Sequence, residues 1–267
     1  MVTFLKANSI NPRSWRMVRA ASATLILAGF SGVASAAEVR AFVTVALQSV
    51  FEEIAPEFER STGHRLYVTF GTSSALVKRI QDGEAADCLV ANQGIIDGLA
   101  KSGKVQAGSD QTIAKSSVGA AVRKGEPKPD ITSVDAFLKA LLAARAISYS
   151  DPSGGGASGV HIAKMLDKHG LSEALKSKTR FPPPGGLTGR LLVAGEADIA
   201  IQQVSELVSV SGVELVGPLP GELENVTTLA LVVLASAKEP EAAKALTRYL
   251  RTPAVIATMK ARGLDPN

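Results

Sequence analysis

Three segments rich in glycine, serine and threonine each lie between a strand-like run and a helical pattern. They are residues 71–74 (Gly-Thr-Ser-Ser), 153–158 (Ser-Gly-Gly-Gly-Ala-Ser) and 185–188 (Gly-Gly-Leu-Thr). The first backbone N–H groups of a helix have no partner within the helix, and the positive end of the helix dipole attracts anions. A single junction of this kind is usually only a helix cap. Three of them in one chain predict a site for a small anion.

Polar side chains near these junctions are candidates to complete the site. Arg190 lies in the opening turn of the helix after the third junction, where it either pairs with a carboxylate or faces solvent. Gln202 and Gln203 end an otherwise apolar strand, and two buried amides are costly unless they bind something. His161 lies in the first turn of the helix after the second junction. It is the histidine that could line a cleft and act as a base near neutral pH.

Other chemistries find less support in the sequence. Residues 154–159 match the G-x-G-x-x-G pattern of dinucleotide-binding loops, but that pattern expects an acidic residue about 20 positions later, at the end of the next strand. Glu173 comes too early. The three histidines, His64, His161 and His169, are too scattered for a metal site. We therefore expect no metal and no cofactor.

The first 36 residues have the pattern of a secretory signal peptide. Arginines precede an apolar run that ends in Ala34-Ser35-Ala36, so we expect cleavage after Ala36, with Met17 as an alternative start. This segment holds four of the 29 basic residues and none of the 25 acidic ones, so the remainder carries 25 of each and shows no bias towards nucleic acid. Cys88 is the only cysteine and lies in an apolar stretch, which predicts a buried strand residue. We expect an unlipidated periplasmic monomer without a membrane anchor.

Short β-rich runs alternate with helical patterns along the remaining chain. This alternation predicts an α/β fold with mostly parallel sheets flanked by helices. The chain is expected to cross from one lobe to another near residues 116–123 and to return near residues 227–235, which predicts two lobes. Lobe I comprises residues 37–117 with 236–267, and lobe II comprises residues 118–235. A hinge of this kind places a ligand cleft between the lobes.

Several segments resemble the periplasmic molybdate-binding proteins of ABC importers. They are residues 43–59, 70–76, 83–87, 150–152 and 157–159, and the Gly-Thr-Ser-Ser segment is the most specific. The resemblance implies a type II periplasmic-binding-protein fold, an ABC permease as partner, and ligand oxygens held by serine hydroxyls and backbone N–H groups. In this family's pattern the second-loop serine is Ser73, and the third contact is Ala157 or Ser158. The fourth falls among residues 185–187. Ala46 and Gln203 occupy the positions of a binding serine and a binding tyrosine, which argues against molybdate itself.

Residues 184–186, 195–198, 202–207 and 217–220 are more similar to a branch of the family that includes bacterial aconitate isomerase. Two hypotheses follow. The first is a receptor for a small anion, an organic di- or tricarboxylate in preference to molybdate. The alternative is an isomerase that interconverts trans- and cis-aconitate, with His161 as the base. The expected ligand-binding residues are Thr72, Ser73, Ser74, Ala157, Ser158, Gly185, Gly186, Arg190, Gln202 and Gln203.

Overall fold

The computed structural model describes residues 36–266, so the predicted signal peptide up to Ser35, with Met17, lies outside the described residues. The strands are β1 Glu38–Thr44, β2 Arg65–Gly71, β3 Cys88–Asn92, β4 Gln111–Arg123, β5 Ile147–Tyr149, β6 Thr179–Arg180, β7 Ile199–Gln203, β8 Val213–Pro218, β9 Val226–Val233 and β10 Asp265–Pro266. The helices are α1 Gln48–Thr62, α2 Ser73–Gln81, α3 Gln93–Lys101, α4 Val134–Ala143, α5 Ala157–Lys168, α6 Ser172–Lys176, α7 Gly189–Val193, α8 Val204–Val208, α9 Pro240–Tyr249 and α10 Pro253–Ala261. Within residues 36–266, no helix combines the length and apolar character needed to cross a bilayer.

The strands form one sheet in the order β2-β1-β3-β9-β4-β7-β5-β6, and β8 and β10 also pair with β4. β1 runs parallel to β2 and β3, and β5 runs parallel to β6 and β7. The long strands β4 and β9 pair antiparallel with each other and with the strands on either side of them. The α/β class is confirmed. The sheet is mixed rather than mostly parallel, because these two long strands run against their neighbours.

Helices cover both faces of the sheet. In β1, Ala41 and Val43 pack in a core with α1, α9 and α10, whereas Phe42 packs on the opposite face with α2 and α3. In β7, Ile201 packs with α4 and α5, and Ala200 packs with α7 and α8. Side chains alternate between the faces of a strand, so strands buried on both faces are apolar throughout. This explains the continuous apolar runs in the sequence.

Five short elements have no counterpart in the sequence prediction: α6, β6, α8, β8 and β10. α8 begins directly after β7, and Gln203 is both the last strand residue and the helix N-cap, without a side-chain cap. No glycine or proline separates the two elements, so local sequence offers no boundary there. Cys88 is fully buried at the start of β3, as predicted.

Candidate functional site

A cavity lies at the edge of the sheet where several strands end. The open space within it, including its mouth to solvent, is about 800 Å³. Thr44, Asn92 and Gln203 are the last residues of β1, β3 and β7, and Ser150 follows β5 directly. In open α/β sheets, ligands bind outside the carboxyl ends of the strands. The cavity therefore lies where a ligand is expected.

The start of α2 forms one wall. Thr72 caps this helix, because its Oγ1 accepts a hydrogen bond from the N–H of Ala75 (3.3 Å), and the same atom donates to the carbonyl oxygen of Gly154 (2.9 Å). Ser73 is 4% exposed, and its hydroxyl donates to Oδ1 of Asn92 (3.1 Å) and accepts from the N–H of Asn92 (3.2 Å). Since this hydroxyl is already engaged, the wall offers a ligand mainly the unpaired N–H groups in the first turn of α2.

The start of α5 forms a second wall. The helix begins at Ala157 without a side-chain cap. Ser158 is 4% exposed and lines the cavity, and its hydroxyl bonds to no other group within residues 36–266. A Cβ at Gly159 would lie 2.2 Å from the carbonyl oxygen of Ser150, so only glycine permits this approach of α5 to β5. The wall thus presents a free hydroxyl beside a helix N-terminus.

Gln202 ties the third junction to the strand ends. Its Oε1 accepts hydrogen bonds from the N–H (2.8 Å) and the hydroxyl (2.9 Å) of Thr188. Its Nε2 donates to Oγ of Ser150 and to the carbonyl oxygen of Gly186, both at 3.2 Å. All its hydrogen-bonding groups are used within the protein. Gln202 therefore shapes the cavity wall by positioning the loop before α7.

Gln203 has a buried hydrogen-bond acceptor that no other group within residues 36–266 uses. Its Nε2 donates to Oγ1 of Thr227 (3.0 Å), whereas its buried Oε1 has no partner among the described residues. An unsatisfied buried acceptor costs free energy, so this oxygen favours a donor that enters the cavity.

The ionisable side chains on the cavity wall, within the described part of the chain, are Asp151 and Glu206. Hydrogen bonds from Ser153 lower the pKa of Asp151. Burial raises the pKa of Glu206 to about 8, so this carboxyl group is mostly protonated at neutral pH. The residues lining the cavity include no lysine, arginine or histidine. Attraction of an anion to this cavity would therefore have to come from backbone N–H groups and helix dipoles.

The structure brings most of the predicted binding residues together. Those that line the cavity are Thr72, Ser73, Ala157, Ser158, Gly185, Gly186, Gln202 and Gln203. Ser74 does not line it, and its hydroxyl donates to the carbonyl oxygen of Gly155 (3.1 Å). Arg190 is exposed on α7. Nε2 of His161 donates a hydrogen bond to the carbonyl oxygen of Leu223 (2.9 Å). Neither residue lines the cavity. A place in the first helical turn sets the height of a side chain along the axis, not the face on which it lies.

The sequence analysis did not assign several cavity-lining residues to the site: Thr44, Asn92, Ser150, Thr227 and Glu206. The first three are polar residues at or just after the carboxyl ends of buried strands, and that position was the available signal. Thr227 and Glu206 carried no comparable signal. Glu206 belongs to the unpredicted helix α8, and a glutamate is seldom buried.

Comparisons with known proteins agree with this geometry. Residues 39–265 match the family described as bacterial extracellular solute-binding protein. The chain is 32% identical to an aconitate isomerase from a Pseudomonas species, over 82% of this chain and 84% of that protein. It is 30% identical to the molybdate-binding protein ModA of Azotobacter vinelandii, over 86% of this chain and 90% of that protein. Among solved structures, the periplasmic molybdate-binding protein of Azotobacter vinelandii has a TM-score of 0.69 at 18% identity, covering 85% of this chain and 98% of the other.

Proposed function

Because this chain belongs to the family of bacterial extracellular solute-binding proteins, we propose that it is a periplasmic receptor that binds a small organic anion for an ABC importer. The observation that carries the proposal is the convergence of two helix N-termini, those of α2 and α5, on one cavity. The free hydroxyl of Ser158 lies beside the second of them. Aligned N–H groups and helix dipoles bind anions without any cationic side chain.

The ligand that we propose is a di- or tricarboxylate in preference to molybdate. Ala46 and Gln203 line the cavity at the positions where the molybdate-binding pattern has hydroxyl side chains. Ala46 offers no donor, and the amide of Gln203 already donates to Thr227. An elongated carboxylate can reach the N-termini of α2 and α5 with separate carboxyl groups. The similarity to an aconitate isomerase supports this ligand class.

We propose further that the lobes, residues 37–117 with 236–267 and residues 118–235, close around the ligand. The long strands β4 and β9 would form the hinge. Thr72 and Ser74 donate to the carbonyl oxygens of Gly154 and Gly155, more than 80 residues away. These bonds join the start of α2 to the loop before α5, and they support a cleft that closes at this point.

A thermal-shift panel tests the proposal, with trans-aconitate, citrate, molybdate and sulfate as probes. A ligand at 100 times its dissociation constant stabilises the folded state by about 2.7 kcal/mol. We expect the largest rise in Tm with a carboxylate. The variant Ser158→Ala should weaken binding by about tenfold to a hundredfold, because a hydrogen bond to a charged group contributes roughly 1.5 to 3 kcal/mol. Ser177→Ala, which changes an exposed serine in the same half, is the matched control. A large rise with molybdate and none with carboxylates would reverse the choice of ligand.

A second candidate is an aconitate isomerase on the same scaffold. The observation that favours it is an ionisable carboxyl group, that of Glu206, on the cavity wall of a chain similar to such an enzyme. Moving the double bond requires one group that takes a proton from carbon and one that returns it. His161 was the expected base, but its ring bonds to Leu223 outside the cavity. Incubation with trans-aconitate followed by chromatography decides the question. Formation of the cis isomer that Glu206→Gln abolishes would establish the enzyme, and binding without turnover would leave the receptor.

A further inference from the structure

Glu206 is a buried acid in an anion-binding cavity. It lies on α8, is 8% exposed and lines the cavity. α8 packs against the turn Val45–Leu47, which carries Ala46. Glu206 and Ala46 thus lie on neighbouring elements of the same wall. Glu206 thus belongs to the helix that packs against the turn where the family pattern has a serine hydroxyl and this chain has Ala46.

No charged partner offsets the burial of Glu206. Its carboxyl group forms no hydrogen bond or ion pair within residues 36–266, and burial alone accounts for its raised pKa. The segments packed against α8 are β4, β7, β8, the turn Val45–Leu47, α1 and the turn at Gly263 after α10. Their ionisable side chains are Lys115, Arg123, Glu214, Glu52, Glu53, Glu57, Glu59, Arg60 and Arg262. None of these lines the cavity, and the remaining ionisable group on its wall, Asp151, is exposed to solvent.

An unpaired buried carboxylate is costly, so the group retains its proton. A neutral carboxyl group has an O–H donor, whereas an ionised one has only acceptors. Next to a bound anion the two forms therefore act in opposite ways. The neutral form stabilises a ligand oxygen by a hydrogen bond, and the ionised form repels it.

We propose that Glu206 binds the anionic ligand in its protonated form, donating a hydrogen bond to a ligand oxygen, so that the anion and one proton occupy the cavity together. This inference rests on the proposed function, since it requires an anion in this cavity. It assigns to Glu206 the donor role that Ala46 cannot fill. It also makes affinity fall as pH rises, because the ionised protein must take up a proton before it binds the anion tightly.

Isothermal titration calorimetry with trans-aconitate and with molybdate tests the inference. Each probe is titrated at about pH 7 and about pH 9.5, in two buffers with different enthalpies of ionisation. With a pKa of about 8, the dissociation constant of the wild-type protein should rise by up to about 30-fold between these pH values. At the higher pH, the buffer dependence of the heat should reveal uptake of about one proton per ligand. This second measurement needs no variant.

Glu206→Gln keeps a donor that does not titrate, so its affinity should change little with pH and its binding should take up no proton. Glu196→Gln makes the same chemical change at an exposed position and should behave as the wild type. If wild type and Glu206→Gln bind a probe with the same pH dependence and no proton uptake, the inference is overturned while the receptor proposal stands. If neither probe binds the wild type at either pH, the proposed function fails and the inference fails with it.

Discussion

The side chain of Ser73 is bound twice to Asn92. Its hydroxyl donates to Oδ1 of Asn92 at 3.1 Å and accepts from the N–H of the same residue at 3.2 Å. The pair joins the first residue of α2 to the last residue of β3. It thereby fixes the helix N-terminus at the strand ends, where the cavity lies.

We therefore expect Ser73→Ala to lower the free energy of unfolding clearly and to lower ligand affinity only slightly. The substitution leaves a partly buried N–H at Asn92 without an acceptor, which costs about 1 to 3 kcal/mol of the free energy of unfolding. Its effect on ligand affinity should be smaller than that of Ser158→Ala, whose hydroxyl is free. Urea denaturation and a binding titration measure the two quantities. A larger loss of affinity for Ser73→Ala would mean that its hydroxyl leaves Asn92 to bind the ligand.

The buried side chain of Gln202 forms four hydrogen bonds, so it should be important for stability. Gln202→Ala leaves the N–H and hydroxyl of Thr188 without an acceptor and opens a small cavity. We expect a loss of about 2 to 4 kcal/mol in the free energy of unfolding. Gln81→Ala, at an exposed position at the end of α2, is the control and should change stability by less than about 0.5 kcal/mol. Equal losses in the two variants would contradict a structural role for Gln202.

The burial of Glu206 predicts a pH dependence of stability in the absence of ligand. The ordinary pKa of the side chain is 4.5, and the folded protein raises it to about 8. Between these values the folded state holds a proton that the unfolded state has lost, so stability must fall as pH rises. The slope is at most about 1.4 kcal/mol per pH unit. It should vanish below about pH 4.5, where both states are protonated, and above about pH 8, where both are ionised.

Urea denaturation of the wild type and Glu206→Gln across this interval checks that prediction. The variant does not titrate at position 206. The wild type should therefore lose stability relative to the variant from about pH 5 to about pH 8, and the difference should then level off. Glu196→Gln supplies the reference for an exposed glutamate. A constant difference between wild type and Glu206→Gln would mean that Glu206 ionises in the folded protein as it does in water.

The sequence predicted the strand-to-helix junctions because their signals are local. Glycine and hydroxyl residues cap helices, and the residues at 72–73 and 157–158 lie at the starts of α2 and α5 as expected. The positions of His161 and Arg190 relative to the cavity could not be predicted in this way. They depend on which face of each helix meets the sheet, and tertiary packing decides that. The raised pKa of Glu206 depends likewise on burial beneath elements distant in the sequence.

The close approach of α5 to β5 makes Gly159 the position least tolerant of a side chain. A Cβ there would lie 2.2 Å from the carbonyl oxygen of Ser150, a backbone atom that cannot turn aside. Gly159→Ala must therefore push the start of α5 away from the strand end. We expect a loss of at least about 1 to 3 kcal/mol in stability. Ligand affinity should also fall, because the N–H groups of α5 and the hydroxyl of Ser158 move with the helix.

Gly98→Ala on α3 is the control, since a Cβ at Gly98 meets no atom within 4 Å and Gly98 does not line the cavity. Its backbone φ does not lie in the left-handed region, so alanine is compatible with the conformation. This variant should be at least as stable as the wild type and should bind the ligand equally well. Thermal unfolding and a binding titration of the two variants side by side separate the specific contact of Gly159 from a general effect of replacing glycine by alanine. If Gly159→Ala retained wild-type stability and affinity, the start of α5 would have room to move, and the fixed geometry that we assign to the second wall would be wrong.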